Sequence, residues 1–199
     1  MNDKFWGYLI CILVGFLSGS IMFSQILPQL IQEKDIGAVS DDHNPGATNV
    51  FINCGAAMGF TCLLLDMGKG FLPVFLACQF LDQSNLLFGL VLAAPVLGHA
   101  IAPFQHFHGG KCIATSFGVM IALLPISPIG LVLAGIYILF STLIKISPNR
   151  IRSLLAFGLF GIISFLYLVH GGKYSIALGC VVISVTAMIK HSKHFSQCA

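Results

Sequence analysis

The sequence predicts an all-α, polytopic membrane protein, and three observations carry that prediction. Only 9% of the 199 residues are charged and 57% are hydrophobic, against roughly 25% charged in an ordinary soluble domain. The apolar residues fall into long runs separated by polar or Pro/Gly clusters, and a bilayer core of about 30 Å asks for roughly 20 such residues per helix. These runs also lack the apolar–polar alternation of a barrel strand, while open strands would leave backbone groups unpaired in lipid. An ordinary soluble enzyme, a disordered chain and a disulfide-stapled secreted module are therefore excluded.

Seven spans are expected, over 5–31, 51–81, 86–104, 113–126, 129–147, 152–169 and 174–190. Residues 1–20 carry one Lys, an apolar centre and a small-residue Ser18-Gly19-Ser20 end, the layout of a signal peptide. Because the apolar character continues to Leu30, a retained first helix is expected instead. The second run holds Asp66 and Lys69, and the third ends at Gly98-His99. The fourth is short and stops at Pro125 and Pro128, so it is tilted or spans only partly. The last three are separated by the breaks at 147–152 and 170–173. Gly15-x-x-x-Gly19 and Gly55-x-x-x-Gly59 read as small-residue faces for close helix packing. The whole of 1–199 is read as a single integral membrane domain.

Orientation follows from the basic residues. With seven spans, one side holds Lys34, Lys111, Lys145, Arg150, Arg152, Lys190 and Lys193, and the other only Lys4 and Lys173. This places the N-terminus outside, and the C-terminus and the loops at 32–50, 105–112 and 145–152 in the cytoplasm. Six of the histidines, 43, 99, 106, 108, 191 and 194, fall on or near that same side.

The charge inventory narrows the chemistry. No carboxylate side chain follows Asp82, so paired-carboxylate catalysis would need the first 82 residues alone. The basic residues are dispersed and no nucleic-acid partner is expected. The seven cysteines include no C-x-x-C pair and read as buried small hydrophobes. His106-x-His108 and His191-x-x-His194 have metal-like spacing but lack cysteine pairs or nearby acids, so no metal is expected. Cys112 has no orienting acid near it in sequence to make it a nucleophile.

Three segments remain. Asp41-Asp42-His43-Asn44-Pro45-Gly46-Ala47-Thr48-Asn49 leads into a helix, where free backbone N–H groups suit an anion, although a plain capped turn has the same composition. Phe107-His108-Gly109-Gly110-Lys111-Cys112-Ile113-Ala114-Thr115 puts Gly-Gly-Lys before a helix. That arrangement either wraps a phosphate or is a surface turn with a snorkelling Lys. It is not a Walker A loop, because Cys112 stands where Ser or Thr belongs. Asp66 and Lys69, at i and i+3 in an apolar helix, are either functional charges or a pair that fixes packing. His99, at a helix end where acyl chain and water would meet, is the best acid/base or oxyanion-stabilising candidate.

Together these segments resemble the bacterial acyl-phosphate-dependent glycerol-3-phosphate acyltransferases. The likeness runs in order through Gly19-Ser20, Asn44 with Gly46-Ala47-Thr48-Asn49, Leu65-Asp66 with Lys69-Gly70, Gly98-His99, Gly109-Gly110-Lys111 with Ala114-Thr115, and His191. The resemblance implies acyl transfer from acyl phosphate to the 1-hydroxyl of glycerol 3-phosphate. The product is lysophosphatidic acid, formed without cofactor or metal at the cytoplasmic face of a bacterial inner membrane. It implies catalytic roles for His99, His191 and Lys111. It also implies substrate or phosphate binding by Asn44, Gly46, Thr48, Asn49, Lys69, Gly109, Gly110 and Thr115. A monomer is expected.

The pattern is also departed from. Asp42 replaces a substrate-binding Ser, Ile52 stands where an Arg is expected, and His108 and Cys112 flank the Gly-Gly-Lys. The C-terminal motif reads His191-Ser192-Lys193-His194-Phe195, and His43 and Lys193 are the candidates to compensate. A non-catalytic or regulatory paralogue is the alternative these changes raise. A small transporter of phosphorylated metabolites is a further one, against which no internal repeat is found.

Overall fold

Each apolar run becomes helix because, in lipid, only intrahelical hydrogen bonds satisfy the backbone of an open chain. The structure, a computed structural model, describes residues 2–192. Lys193 and His194 lie outside the described residues. Ten α-helices follow in order: α1 Asn2–Ser20, α2 Phe23–Gln32, α3 Ile36–Val39, α4 Ala47–Cys54, α5 Ala56–Phe80, α6 Leu87–Ile101, α7 Ile113–Leu123, α8 Ile129–Ile138, α9 Asn149–His170 and α10 Tyr174–Ser192. A π-helical turn, Leu139–Leu143, extends α8. No strand occurs among the described residues.

Among the described residues, five stretches are long and apolar enough to cross a membrane: Lys4–Gln32, Ala56–Phe80, Leu87–Gln105, Asn149–His170 and Tyr174–Ser192. Two predicted spans are shorter. The 11 residues of α7 reach about 16 Å, roughly half a bilayer core, and α8 has 10 residues before its π turn.

The two longest predicted spans differ from the continuous helices expected. The run over 5–31 is interrupted at Ile21-Met22, between α1 and α2. The run over 51–81 is interrupted at Gly55, whose φ of 86° ends α4 and starts α5. That left-handed backbone is open to glycine and strained for other residues.

The break at Ile21-Met22 explains the buried charges. Asp66 and Lys69, 1% and 4% exposed, pair at 2.8 Å on α5. Lys69 Nζ also donates to the Ile21 carbonyl released by the break, and Ser24 donates to the Asp66 carboxylate. Ser18 returns a bond to the Lys69 carbonyl at 3.0 Å. Lys69 therefore satisfies a backbone carbonyl that lipid cannot solvate, and Asp66 balances its charge there.

Small residues set the crossings. A Cβ on Gly98 would meet the Phe16 carbonyl of α1, and one on Gly118 the Met67 carbonyl of α5, so α6 and α7 seat backbone to backbone on their neighbours. Phe88, Leu92, Leu123, Phe157, Phe160 and Leu168 fill the core between α6, α7, α9 and α10. Large apolar side chains such as Leu13, Phe80, Ile162 and Leu166 face outward, the surface expected of a protein solvated by acyl chains.

Candidate functional site

The segment before α4 is held by its own side chains. Asp42 Oδ1 accepts from the Asn44 backbone at 3.2 Å and from Asn49 Nδ2 at 2.8 Å. Asn49 Nδ2 also donates to the Asn44 carbonyl at 2.7 Å. These bonds fold the loop over the N-terminus of α4 and bring Asn44, Thr48 and Asn49 to one wall. His43 turns away: its Nδ1 lies 3.0 Å from the Gly37 carbonyl and its ring is exposed.

The second wall is the loop after α6. Ala102 closes α6 with a left-handed backbone, and the chain returns so that the Gly110 N–H donates to the His99 carbonyl at 3.1 Å. The glycines permit this return. A Cβ on Gly109 would strike the His99 and Ala100 carbonyls, and one on Gly110 would strike the His99 imidazole. His99 is 4% exposed, with Nδ1 unpartnered. Lys111 leaves this loop and pairs with the Asp42 carboxylate across 69 residues of sequence. Burial pushes the Asp42 carboxyl up, but Lys111, Asn49 and the Asn44 N–H together outweigh it and hold the group below its usual range.

The third wall joins α9 and α10. Arg150 Nε donates to the His191 carbonyl at 2.8 Å and Nη2 to that of Ser192 at 3.3 Å. A cation is thereby placed on the C-terminus of α10, where the helix dipole favours it. Arg152 Nη2 donates to Asn149 Oδ1 at 2.6 Å. His191 is 2% exposed, with both ring nitrogens unpartnered.

These walls enclose a cavity of about 480 Å³. Of the sequence-predicted residues, Asn44, Gly46, Thr48, Asn49, His99, Lys111 and His191 line it, as does Asp42. Gly109 and Gly110 stand behind its wall, packed on the end of α6. Lys69 is engaged in the buried pair with Asp66 and is not among the lining residues. Thr115 is fully buried at the α5–α7 crossing, its carbonyl facing Gly70. His106 and His108 are exposed on the loop, and no three His, Cys, Asp or Glu side chains gather to hold a metal among the described residues. Burial pushes the Cys112 thiol up to about 12, so it holds no thiolate at neutral pH.

Sequence reasoning missed Asn149, Arg150, Arg152 and Tyr137 as part of the lining. In the sequence the Asn149-Arg150-Ile151-Arg152 run reads only as a basic break between two apolar spans. The lining also includes Leu63, Met67, Ile113, Phe117 and Tyr137 beside the polar groups. One chamber thus combines cations and amides with apolar surface compatible with an acyl chain.

A family model described as glycerol-3-phosphate acyltransferase matches residues 9–199. A relative from Thermotoga maritima named glycerol-3-phosphate acyltransferase 2 is 32% identical over 191 residues, spanning 96% of this chain and 92% of the relative. A glycerol-3-phosphate acyltransferase from Hydrogenobaculum sp. is 34% identical over 185 residues, spanning 93% and 89% of the two chains. Among solved structures, PlsY (YgiH), an integral membrane glycerol 3-phosphate acyltransferase, matches in its glycerol 3-phosphate form. Its TM-score is 0.79 at 26% identity, with 96% of this chain and 91% of that one covered.

Proposed function

The chain belongs to the glycerol-3-phosphate acyltransferase family, and from that membership we propose that it acylates the 1-hydroxyl of glycerol 3-phosphate with acyl phosphate as donor. The observation that carries this reading is the convergence of Asn44, Thr48, Asn49, His99, Lys111 and His191 on one cavity that is also lined by Leu63, Met67, Ile113 and Phe117. The hydroxyl oxygen attacks the acyl carbonyl carbon, a carbon–oxygen ester bond forms, and the acyl–phosphate bond breaks. Inorganic phosphate leaves and lysophosphatidic acid remains.

Acyl phosphate is already activated, so the protein has mainly to hold two phosphorylated molecules in register and stabilise developing charge. Lys111 and His191 are assigned to a substrate phosphate, and the amides and hydroxyl of Asn44, Asn49 and Thr48 to the polar substrate. His99, held by the Gly109-Gly110 return, is assigned the proton of the attacking hydroxyl. Gly109 and Gly110 act through His99, while Lys69 and Thr115 hold the helices that frame the cavity.

The Lys/Arg asymmetry supports seven crossings, two of them short, with the N-terminus outside and the cavity at the cytoplasmic face of a bacterial inner membrane. Nothing in the chemistry requires more than one copy of the chain. The purified protein, given acyl phosphate and labelled glycerol 3-phosphate without CoA, is expected to form lysophosphatidic acid and release phosphate. Product no greater than that of a Lys111→Ala control overturns the reading. The Asp42–Lys111 pair favours one second reading, a binding paralogue. Saturable affinity for glycerol 3-phosphate without turnover would support it.

A further inference from the structure

Two ion pairs involve carboxylates of the cavity, and both claim lysines: Asp66 holds Lys69 and Asp42 holds Lys111. Arg152, in the first turn of α9, belongs to neither of these two pairs. Arg152 lines the cavity, donates through Nη2 to Asn149 Oδ1, and has a buried Nε with no partner. It interacts electrostatically with Tyr137, whose ring packs on Phe117 with centroids 5.5 Å apart. A guanidinium stays charged at any working pH and presents a planar fork of donors suited to two phosphate oxygens. An unsatisfied buried donor is costly, and an anion in the cavity would satisfy it.

We propose that Arg152 is a phosphoryl-binding residue of this enzyme. It would supply a cationic contact in addition to that of Lys111, which Asp42 shares. The proposal rests on the acyltransferase reading only in taking the ligand to be a phosphate ester or acyl phosphate. The shared chemistry is a terminal phosphoryl group beside an apolar wall. Donor and acceptor are distinguished by experiment.

The full-length protein in detergent, as wild type, Arg152→Gln and Arg152→Lys, tests this in two ways. In thermal unfolding, inorganic phosphate and glycerol 3-phosphate are expected to stabilise wild type, with glycerol inert and the shift lost in Arg152→Gln. In steady-state assays Arg152→Gln is expected to raise KM for one phosphorylated substrate by about tenfold or more, the loss of one charge-assisted contact, with kcat changed less. A raised KM for acyl phosphate assigns the donor, and one for glycerol 3-phosphate the acceptor. Arg152→Lys keeps the charge without the fork and is expected to fall between. It also serves as the test if Arg152→Gln fails to fold, because a wild-type KM in Arg152→Lys then counts against the proposal.

Unchanged KM and an unchanged phosphate shift in folded Arg152→Gln overturn the proposal, as does wild type that phosphate does not stabilise. A phosphate shift that depends on Arg152, in a protein without turnover, upholds it while the acyltransfer reading falls.

Discussion

Replacing Asp42 with Asn tests whether this carboxylate competes with substrate phosphate for Lys111. The amide has the same size, and its oxygen can still accept from Asn49 Nδ2 and the Asn44 backbone, now at 2.8 and 3.2 Å. Only the charge facing Lys111 is removed. A phosphate seated on Lys111 would lie about 5 Å from the carboxylate, where two unit charges repel by about 3 kcal/mol at an effective dielectric constant near 20. The Asp42 side chain is 37% exposed and that of Lys111 19%, so solvent screens much of this and about 1 kcal/mol remains. The expected result is a KM for the phosphate bound there lowered about fivefold, with the difference shrinking as salt is raised. The assay is product formation with each substrate varied in turn, at low and high NaCl. A KM that is unchanged or higher for both substrates in a folded Asp42→Asn protein refutes the competition.

Three further outcomes are expected. Gly110→Ala drives a methyl into the His99 imidazole and should lower kcat by about 100-fold, the effect of a misplaced catalytic group, while circular dichroism shows helix content retained. Asp66→Asn strips Lys69 of its buried partner and should destabilise the protein by about 3–5 kcal/mol, measured as a lower unfolding midpoint in detergent. An Asp66→Leu/Lys69→Met double variant should recover part of that loss. Because the Asp42 carboxyl lies below its usual range when folded, the stability it contributes is present above the ordinary carboxylate pKa. It is lost only as pH falls through the lower folded value. Unfolding midpoints of wild type and Asp42→Asn should therefore run parallel between about pH 5 and 8 and converge below about pH 4.

The membrane class and helix positions were legible because composition and run length report solvation directly. The breaks at Ile21-Met22 and Gly55 were not, because the apolar pattern passes through both. The signal for the first break lay 48 residues away in sequence, in Lys69, which binds the released Ile21 carbonyl, and in its partner Asp66, which accepts from the Ser24 side chain. Most of the candidate site was legible as motifs, since Asn44, Thr48, Asn49, His99, Lys111 and His191 converge on one cavity. Arg150 and Arg152 were hidden in a basic run that reads equally as a polar break between two apolar spans. Only the packing of the start of α9 on the end of α10, secured by Arg150 on the His191 and Ser192 carbonyls, carries them to the cavity.

The two ion pairs divide the work of this charge-poor chain. Asp66–Lys69 is almost wholly buried, and its groups also serve Ile21 and Ser24. Either charge alone would be intolerable at that depth, so the pair is committed to structure. Asp42–Lys111 is partly exposed and lines the cavity, so opening it costs far less. The same chemistry is thus fixed in one place and exchangeable in the other. Lys111 can be released from Asp42 at small cost, whereas Lys69 cannot leave Asp66 without disturbing the junction of α1 and α2. On the proposed function, that contrast would reconcile Asp42 with a phosphate-binding cavity: the carboxylate would keep Lys111 ordered between turnovers, and its repulsion would weaken phosphate binding by only about fivefold.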